Sequence, residues 1–277
     1  MIGKLLRKPS GIFSAVTIFL VLLVAITGPL WVPYGVNDIN ISGMLAAPSA
    51  EHWFGTDELG RDIFTRVVLA AGISMQVSIA SVLIALILGA GAGMLSGYFG
   101  GWLDAVLMRL VDVMFAFPVL LLALAVVAIL GPGTSTVIIA IAVVYTPIFA
   151  RIARTATAAV VQAPFIKASV VTGARAPRVL LQHVLPNIAA PLIVQTSVSL
   201  AFAILSEAAL SFLGLGAQPP DPTWGRMLFD AKGYLTQAWW MAVLPGVVVV
   251  LTVLSFNLLG DNLRDALDTS SSGRKDD

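Results

Sequence analysis

The fold class is decided by residues 67–103, which read VVLAAGISMQVSIASVLIALILGAGAGMLSGYFGGWL and contain no charged side chain. A helix needs about 20 apolar residues to cross the hydrocarbon core of a bilayer. The stretch therefore predicts a membrane-spanning helix over about residues 73–95, followed by a turn at 96–102. Gly89, Gly93 and Gly97 recur at a spacing that lets a second helix approach closely.

The composition of the whole chain agrees with a membrane protein. Of its 277 residues, 58% are hydrophobic and 11% are charged, whereas about 25% of the residues of a soluble domain are charged. The net charge of +1 gives no sign of a polyanionic partner, so we expect no nucleic-acid binding. The chain has no cysteine and two histidines, which argues against disulfides and against a metal site.

Charge-free stretches bounded by turn residues predict six spans. The 38 uncharged residues between Asp112 and Arg151 would extend about 57 Å as one helix, so Gly131-Pro132-Gly133 is expected to form a turn. The predicted spans are residues 12–32, 73–95, 103–130, 136–150, 188–210 and 241–259. The predicted fold class is therefore an all-α polytopic membrane protein with six transmembrane helices.

Basic residues are unequally distributed between the two sides of these spans. Eleven of the sixteen lie on the side that holds the N-terminus, residues 151–187 and the tail. The positive-inside rule therefore predicts that both termini are cytoplasmic. Residues 35–66 and 214–240 then lie outside the cell membrane.

Residues 163–187, which read APFIKASVVTGARAPRVLLQHVLPN, are too long for an ordinary connection between two helices. The spacing of Phe165, Ala168 and Thr172 predicts a short helix. Gly173 permits a left-handed turn at its end, and a second helix is expected up to Pro186. A helix, turn and helix outside the bilayer would suit docking on another protein.

This segment resembles the cytoplasmic EAA loop of permease subunits in binding-protein-dependent ABC importers. The family pattern is Glu-Ala-Ala, a Gly four residues after the second Ala, and then Ile-x-Leu-Pro. The corresponding residues here are Lys167, Ala168, Ser169, Gly173, His183, Leu185 and Pro186. Lys167, Ser169 and His183 differ from the pattern, so a role that rests on its first Glu does not carry over. The resemblance implies an ATPase-coupling helix, which also includes Phe165.

Further segments are similar to the C-type subunit of dipeptide, oligopeptide and nickel permeases. They are residues 52–64, 109–118, 207–216, 222–225 and 256–268. Glu207-Ala-Ala is not the coupling motif, because it lies at the outer end of the fifth span without the downstream Gly and Leu-Pro. The resemblance implies a MetI-like domain of a type I ABC importer that translocates di- or oligopeptides or a related small solute such as nickel.

From this resemblance we expect three parts of the chain. Residues 1–71 comprise a cytoplasmic N-terminus, the first helix and an extracytoplasmic segment. Residues 72–260 form the transmembrane domain, with the coupling loop at 162–187, and residues 261–277 form a cytoplasmic tail. The expected location is the bacterial cytoplasmic membrane.

The resemblance also implies partners. They are a homologous permease subunit that completes a heterodimer, two cytoplasmic ATPase subunits, an extracytoplasmic substrate-binding protein and the lipid bilayer. The chain has no Walker A motif, so ATP is expected to be used by the partner subunits and not by this chain. No cofactor is expected on the chain itself.

Two further groups of residues are candidate functional sites. Arg109 and Asp112 are three residues apart on one helical face, so they are expected to pair within the membrane as a structural or a pathway-lining pair. The outer segment is either a solvated cap or part of the docking surface for the binding protein. The candidate docking residues are Trp53, Asp57, Arg61, Asp62 and Trp224. Pro118 and Pro245 lie inside spans and predict kinks.

Two other functional classes compete with this interpretation. An intramembrane hydrolase would need a motif such as His-Glu-x-x-His or Gly-x-Ser-x-Gly, and neither is present, so no enzyme is expected. A stand-alone secondary transporter is the alternative, although internal repeats and midplane carboxylates typical of that class are not evident. ATP dependence of uptake in the presence of the partner subunits separates the two.

Overall fold

The computed structural model describes residues 8–272 of the chain and the side chains of residues 8–267. Within this part the structure is helical, with no β-strand. The α-helices are α1 (Pro9–Thr27), α2 (Ile63–Phe99), α3 (Gly101–Phe115), α4 (Val119–Leu130), α5 (Thr134–Val161), α6 (Pro164–Val171), α7 (Ala176–Val179), α8 (Leu185–Phe212), α9 (Trp224–Ala231) and α10 (Trp240–Ser272). Lys4 and Arg7 near the N-terminus, and the tail residues after Ser272, lie outside the described residues.

Five helical segments in the described part are long and apolar enough to cross a membrane. They are Pro9–Leu30, Ile63–Phe99, Thr134–Val161, Ala176–Phe212 and Trp240–Leu267. The fourth is continuous because a π-helical turn, Leu180–Val184, joins α7 to α8. With α3 and α4 taken together as a sixth span, the predicted all-α polytopic fold is confirmed.

The third predicted span is not one helix. α3 and α4 are bent by 94° relative to each other, at a break formed by residues 116–118. Pro118 is the N-cap of α4. It has no N–H to donate to the preceding turn, and its ring disfavours a helical conformation for Phe117. The predicted span over 103–130 therefore consists of two helices, and the kink expected at Pro118 is confirmed.

Glycines allow α2 to pack directly on α5. A Cβ atom at Gly89, Gly93 or Gly97 would lie closer than 3.0 Å to a backbone carbonyl oxygen of α5. These oxygens belong to Thr146, Ala150 and Arg154. The three glycines are four residues apart and share one helical face, which confirms the predicted close packing.

The first span begins, and the last span ends, on the same side of the bundle. α1 packs against α10. At the start of α1, the Lys8 ammonium lies 2.6 Å from a carboxylate oxygen of Asp265 near the end of the last span. Ser10 lies 3.3 Å from the side-chain oxygen of Asn262. This proximity is what an even number of spans requires.

Candidate functional sites

The 162–187 loop folds as the predicted helix, turn and helix. α6 begins at Pro164, whose fixed φ and missing N–H suit the first helical position. After α6, Gly173 has a φ of +88°, a left-handed conformation that side chains other than Gly adopt at a cost. The N–H of Ala174 then donates to the carbonyl oxygen of Ser169 at 3.1 Å, which satisfies an otherwise free carbonyl at the helix end.

One side of α6 packs against the rest of the chain, and the other side is exposed to solvent. Ile166 is buried and packs in a cluster with Val179 and Val184. On the open side, Phe165 and Val171 are 49% and 86% exposed. Phe165 and Val171, six residues apart, lie on different parts of this open side, and large apolar side chains exposed on such a surface are typical of a binding interface.

Most of the predicted coupling residues lie on or next to α6, at the end of the molecule that holds the 162–187 loop. Phe165, Lys167, Ala168 and Gly173 are exposed on α6 and its turn, Ser169 is half-buried, and Leu185 and Pro186 begin α8. Val171, which the sequence interpretation did not include, is also exposed there. It lies four residues after Lys167 and therefore on the same helical face.

Arg109 and Asp112 do not pair. Asp112 accepts a hydrogen bond from Arg151 at 2.8 Å, and the Asp104 carboxylate is bound by the Arg154 guanidinium, with Nη2 2.6 Å from Oδ2. Both ion pairs join α3 to α5. Arg109 is exposed and forms no ion pair with another residue in the described part. The predicted pair is therefore wrong, because arginines distant in sequence lie closer to these carboxylates.

At the opposite end, residues 35–66 and 214–240 form a folded cap. Asp57 accepts from Arg61 Nε at 2.6 Å and from the N–H groups of Leu59 and Arg61 at 2.9 Å. Asp62 caps α2, because its carboxylate accepts from the N–H of Thr65 at 2.7 Å. These acids therefore bind within the cap and fix its turns.

Four of the five predicted docking residues are buried in the cap. The exposed fractions are 4% for Asp57, 9% for Arg61, 4% for Asp62 and 0% for Trp224. Their side chains are not available to a docked protein, so the prediction is corrected for these four. Trp53 is 61% exposed and stays a predicted docking residue.

Two acids in the cap have altered ionisation. Burial raises the pKa of the Glu58 carboxyl, and the neighbouring Asp57 raises it further. Burial also raises the pKa of Asp230, although the nearby Arg226 guanidinium, 3.0 Å away, acts in the opposite direction. Both groups line a small pocket with Arg66. Within the described residues, no three His, Asp or Glu side chains are grouped so as to hold a metal ion.

A bundle of apolar spans with an exposed helical loop at one end and a folded cap at the other is the architecture of a polytopic membrane protein. The chain belongs to the family of inner membrane components of binding-protein-dependent transport systems, which matches residues 89–272. It is thus a multi-pass inner membrane protein and the permease subunit of a binding-protein-dependent ABC importer.

Individual relatives agree with this family. The chain is 46% identical to the dipeptide transport system permease protein DppC of Alkalihalophilus pseudofirmus, over 96% of this chain and 87% of the relative. It is 44% identical to the glutathione transport system permease protein GsiD of Escherichia coli O157:H7, over 96% of this chain and 88% of the relative. These matches confirm the resemblance to the peptide permeases.

A solved structure shares the fold. The inward-facing MetNI methionine ABC transporter aligns with a TM-score of 0.60 and 19% sequence identity, covering 74% of this chain and 97% of that chain. The expected MetI-like fold is confirmed.

Proposed function

We propose that this importer subunit translocates short peptides and is driven by ATPases that dock on the 162–187 loop. The observation that carries the proposal is the open side of α6, where the apolar side chains of Phe165 and Val171 are exposed to solvent beside the left-handed turn at Gly173. The Ala168, Gly173, Leu185 and Pro186 positions match the coupling pattern. An ATPase groove that covers this face would remove its apolar side chains from water.

The proposed orientation places the loop in the cytoplasm and the cap outside. Eleven of the sixteen basic residues lie on the loop side, which is the arrangement that membrane insertion favours. The contact between Lys8 and Asp265 supports the assignment of both termini to that same side. A substrate-binding protein then docks on the cap.

Transport then follows from a change in the populations of two conformations. A loaded binding protein docks on the cap while two ATPase subunits close on α6. The motion is transmitted to this chain and to a homologous permease subunit, as the resemblance implies, and the pathway between them opens alternately to each side. Each partner shifts the equilibrium only by its different affinity for the two conformations, so the chain needs no catalytic residue.

Short peptides are the proposed substrates. Relatives that share 46% and 44% of their residues with this chain are named for dipeptide and glutathione transport. These names favour peptides over nickel. Residues 207–216 and 256–268 resemble the C-type subunit of the dipeptide, oligopeptide and nickel permeases, a group that includes peptide transporters.

The test substitutes Val171 by Asp in the complex of this chain with its partner permease, ATPases and binding protein. A charge in the buried contact is expected to lower the amount of ATPase that copurifies, and the ATP-driven uptake of a labelled dipeptide into proteoliposomes, by about tenfold. Leu235→Asp is the matched control for ATPase retention, because Leu235 is an apolar residue that is 52% exposed at the opposite end of the molecule, in the cap.

Three outcomes contradict the proposal. Normal ATPase retention by Val171→Asp would exclude α6 as the docking helix. Uptake that does not depend on ATP would favour a secondary transporter. Uptake of Ni²⁺ but not of dipeptide by the same vesicles would exclude peptides as the substrate.

A further inference from the structure

A buried carboxyl group lies where the cap meets the membrane bundle. Glu207, near the end of α8, is 1% exposed. Its Oε1 atom accepts a hydrogen bond from the Ser211 hydroxyl at 2.7 Å. Its Oε2 atom has no hydrogen-bond partner among the described residues, and no cation in the described part forms an ion pair with it. A buried carboxyl without a counter-charge destabilises a fold, so its presence here points to a functional requirement.

Helices α8 and α9 meet beside this carboxyl group. Ser211, which bonds to Glu207 from the same helix α8, lies against α9, since a Cβ atom at Gly225 would be 2.8 Å from the Ser211 Cβ atom. Thr223 is the N-cap of α9, and its side chain accepts from the N–H of Arg226 at 3.1 Å. Glu207 therefore lies beside the N-terminal end of α9, where the helix dipole favours a negative or hydrogen-accepting group.

α9, which lies beside Glu207, packs tightly on the bundle. Trp224 is fully buried, its indole N–H donates to the carbonyl oxygen of Val67 at 3.1 Å, and its backbone N–H donates to Ser74 Oγ at 3.3 Å. A Cβ atom at Gly225 would lie 2.6 Å from the Cα atom of Ala208 on α8. The backbones of α8 and α9 are thus in direct contact next to Glu207.

The continuous helical segment that contains α8 reaches the opposite end of the molecule. The continuous helical segment Ala176–Phe212 has 37 residues, a length of about 55 Å at 1.5 Å per residue. It begins inside the 162–187 loop and ends five residues after Glu207. A displacement of α9 on the cap is therefore applied directly to a helix that begins in the docking loop.

We propose that Glu207 is a positioning residue that fixes α9 to α8, so that docking of a loaded binding protein on the cap reaches the ATPase-docking loop through α8. The inference rests on the proposed function of that loop. Glu207 contacts neither substrate nor nucleotide in this role. Its carboxyl group makes α9 and the outer end of α8 move as one body.

The test compares Glu207→Ala with Glu207→Gln in the full reconstituted complex. Three quantities are measured: affinity for the loaded binding protein, basal ATPase rate, and stimulation of that rate by the loaded binding protein. For Glu207→Ala we expect stimulation to fall fivefold or more, on the order of a typical coupling between sites, with affinity and basal rate within about twofold of the wild type. Glu207→Gln retains an oxygen that accepts from Ser211 and is expected to restore most of the stimulation.

Ser211→Ala removes only the hydroxyl that bonds to Glu207, and it decides the question if Glu207→Ala fails to assemble. We expect a partial loss of stimulation. Ser255→Ala is its matched control, because Ser255, like Ser211, is a buried serine whose hydroxyl donates within its own helix, here to the carbonyl oxygen of Leu251 at 2.7 Å on α10 and not on α8.

Normal stimulation in Glu207→Ala or in Ser211→Ala overturns the inference. Equal losses of basal rate, affinity and stimulation also overturn it, since they indicate general support of the fold. The outcome is separate from that of the docking test, because Val171→Asp changes ATPase retention whereas the Glu207 variants are expected to retain the ATPases.

Discussion

At the scale of single residues, backbone conformation decides what is tolerated at Gly173. Its φ is +88°, and a Cβ atom there would meet no atom within 4 Å. A substitution is therefore disfavoured by conformation and not by crowding. In this respect the turn differs from the exposed side of α6 beside it, where the proposed contact depends on side-chain chemistry.

Gly173→Val is expected to reduce coupled transport, since a left-handed conformation costs an ordinary residue about 1–2 kcal/mol and a β-branched one more. Rearrangement of the turn would misplace α6, so dipeptide uptake should fall by roughly tenfold while the permease still inserts in the membrane. Gly173→Asn is the matched control, because Asn tolerates this conformation. Uptake at the wild-type level by Gly173→Val, measured in proteoliposomes with the partner subunits, would show that the turn is not required.

At the scale of helices, the contact between α2 and α5 sets the geometry of the bundle. The glycine face of α2 lies directly on carbonyl oxygens of α5. α5 in turn carries Arg151 and Arg154, which bind Asp112 and Asp104 of α3. A change in the spacing of α2 and α5 is therefore expected to affect the position of α3 as well.

Gly93→Ala is expected to destabilise the bundle by about 1–3 kcal/mol, the usual cost of overpacking, because its Cβ would overlap Ala150 and Ala153. Gly91→Ala provides a matched control on the same helix, since a Cβ at Gly91 would meet no atom within 4 Å. The measurement is the apparent Tm of the purified complex in detergent. Equal Tm values for the two variants would contradict the close contact.

How far the sequence predicts the structure depends on how local the responsible interactions are. The spans follow from charge-free length, and the turn at Gly173 follows from a single residue type. The Asp112–Arg151 pair was missed because it joins residues 39 positions apart. The cap acids were assigned to docking because sequence alone does not reveal that Asp57 folds back on Arg61, or that Trp224 is covered on all sides.

At the scale of the whole molecule, the cap and the loop lie at opposite ends of the same helices. The continuous helical segment Ala176–Phe212, which includes α8, runs from one to the other. Glu207 lies at its cap end and the π-helical turn Leu180–Val184 at its loop end. Two partners that bind 30 Å or more apart across a bilayer, on the order of its hydrocarbon thickness, can therefore be coupled through one element. The sides on which those partners bind depend on the orientation of the chain.

The orientation is directly testable because the chain contains no cysteine, so that each introduced cysteine is the sole labelling site. Leu235→Cys in the cap and Val171→Cys in the loop both replace exposed side chains, 52% and 86% accessible. The chain is expressed without its ATPase subunits, so that Val171 is not covered. With the cap outside, a membrane-impermeant maleimide is then expected to label Leu235→Cys in intact spheroplasts and Val171→Cys only after permeabilisation. The two sites control for each other, because reagent leakage would label both. Labelling of Val171→Cys alone in intact spheroplasts would reverse the orientation and remove the cap as the docking surface for an extracytoplasmic binding protein.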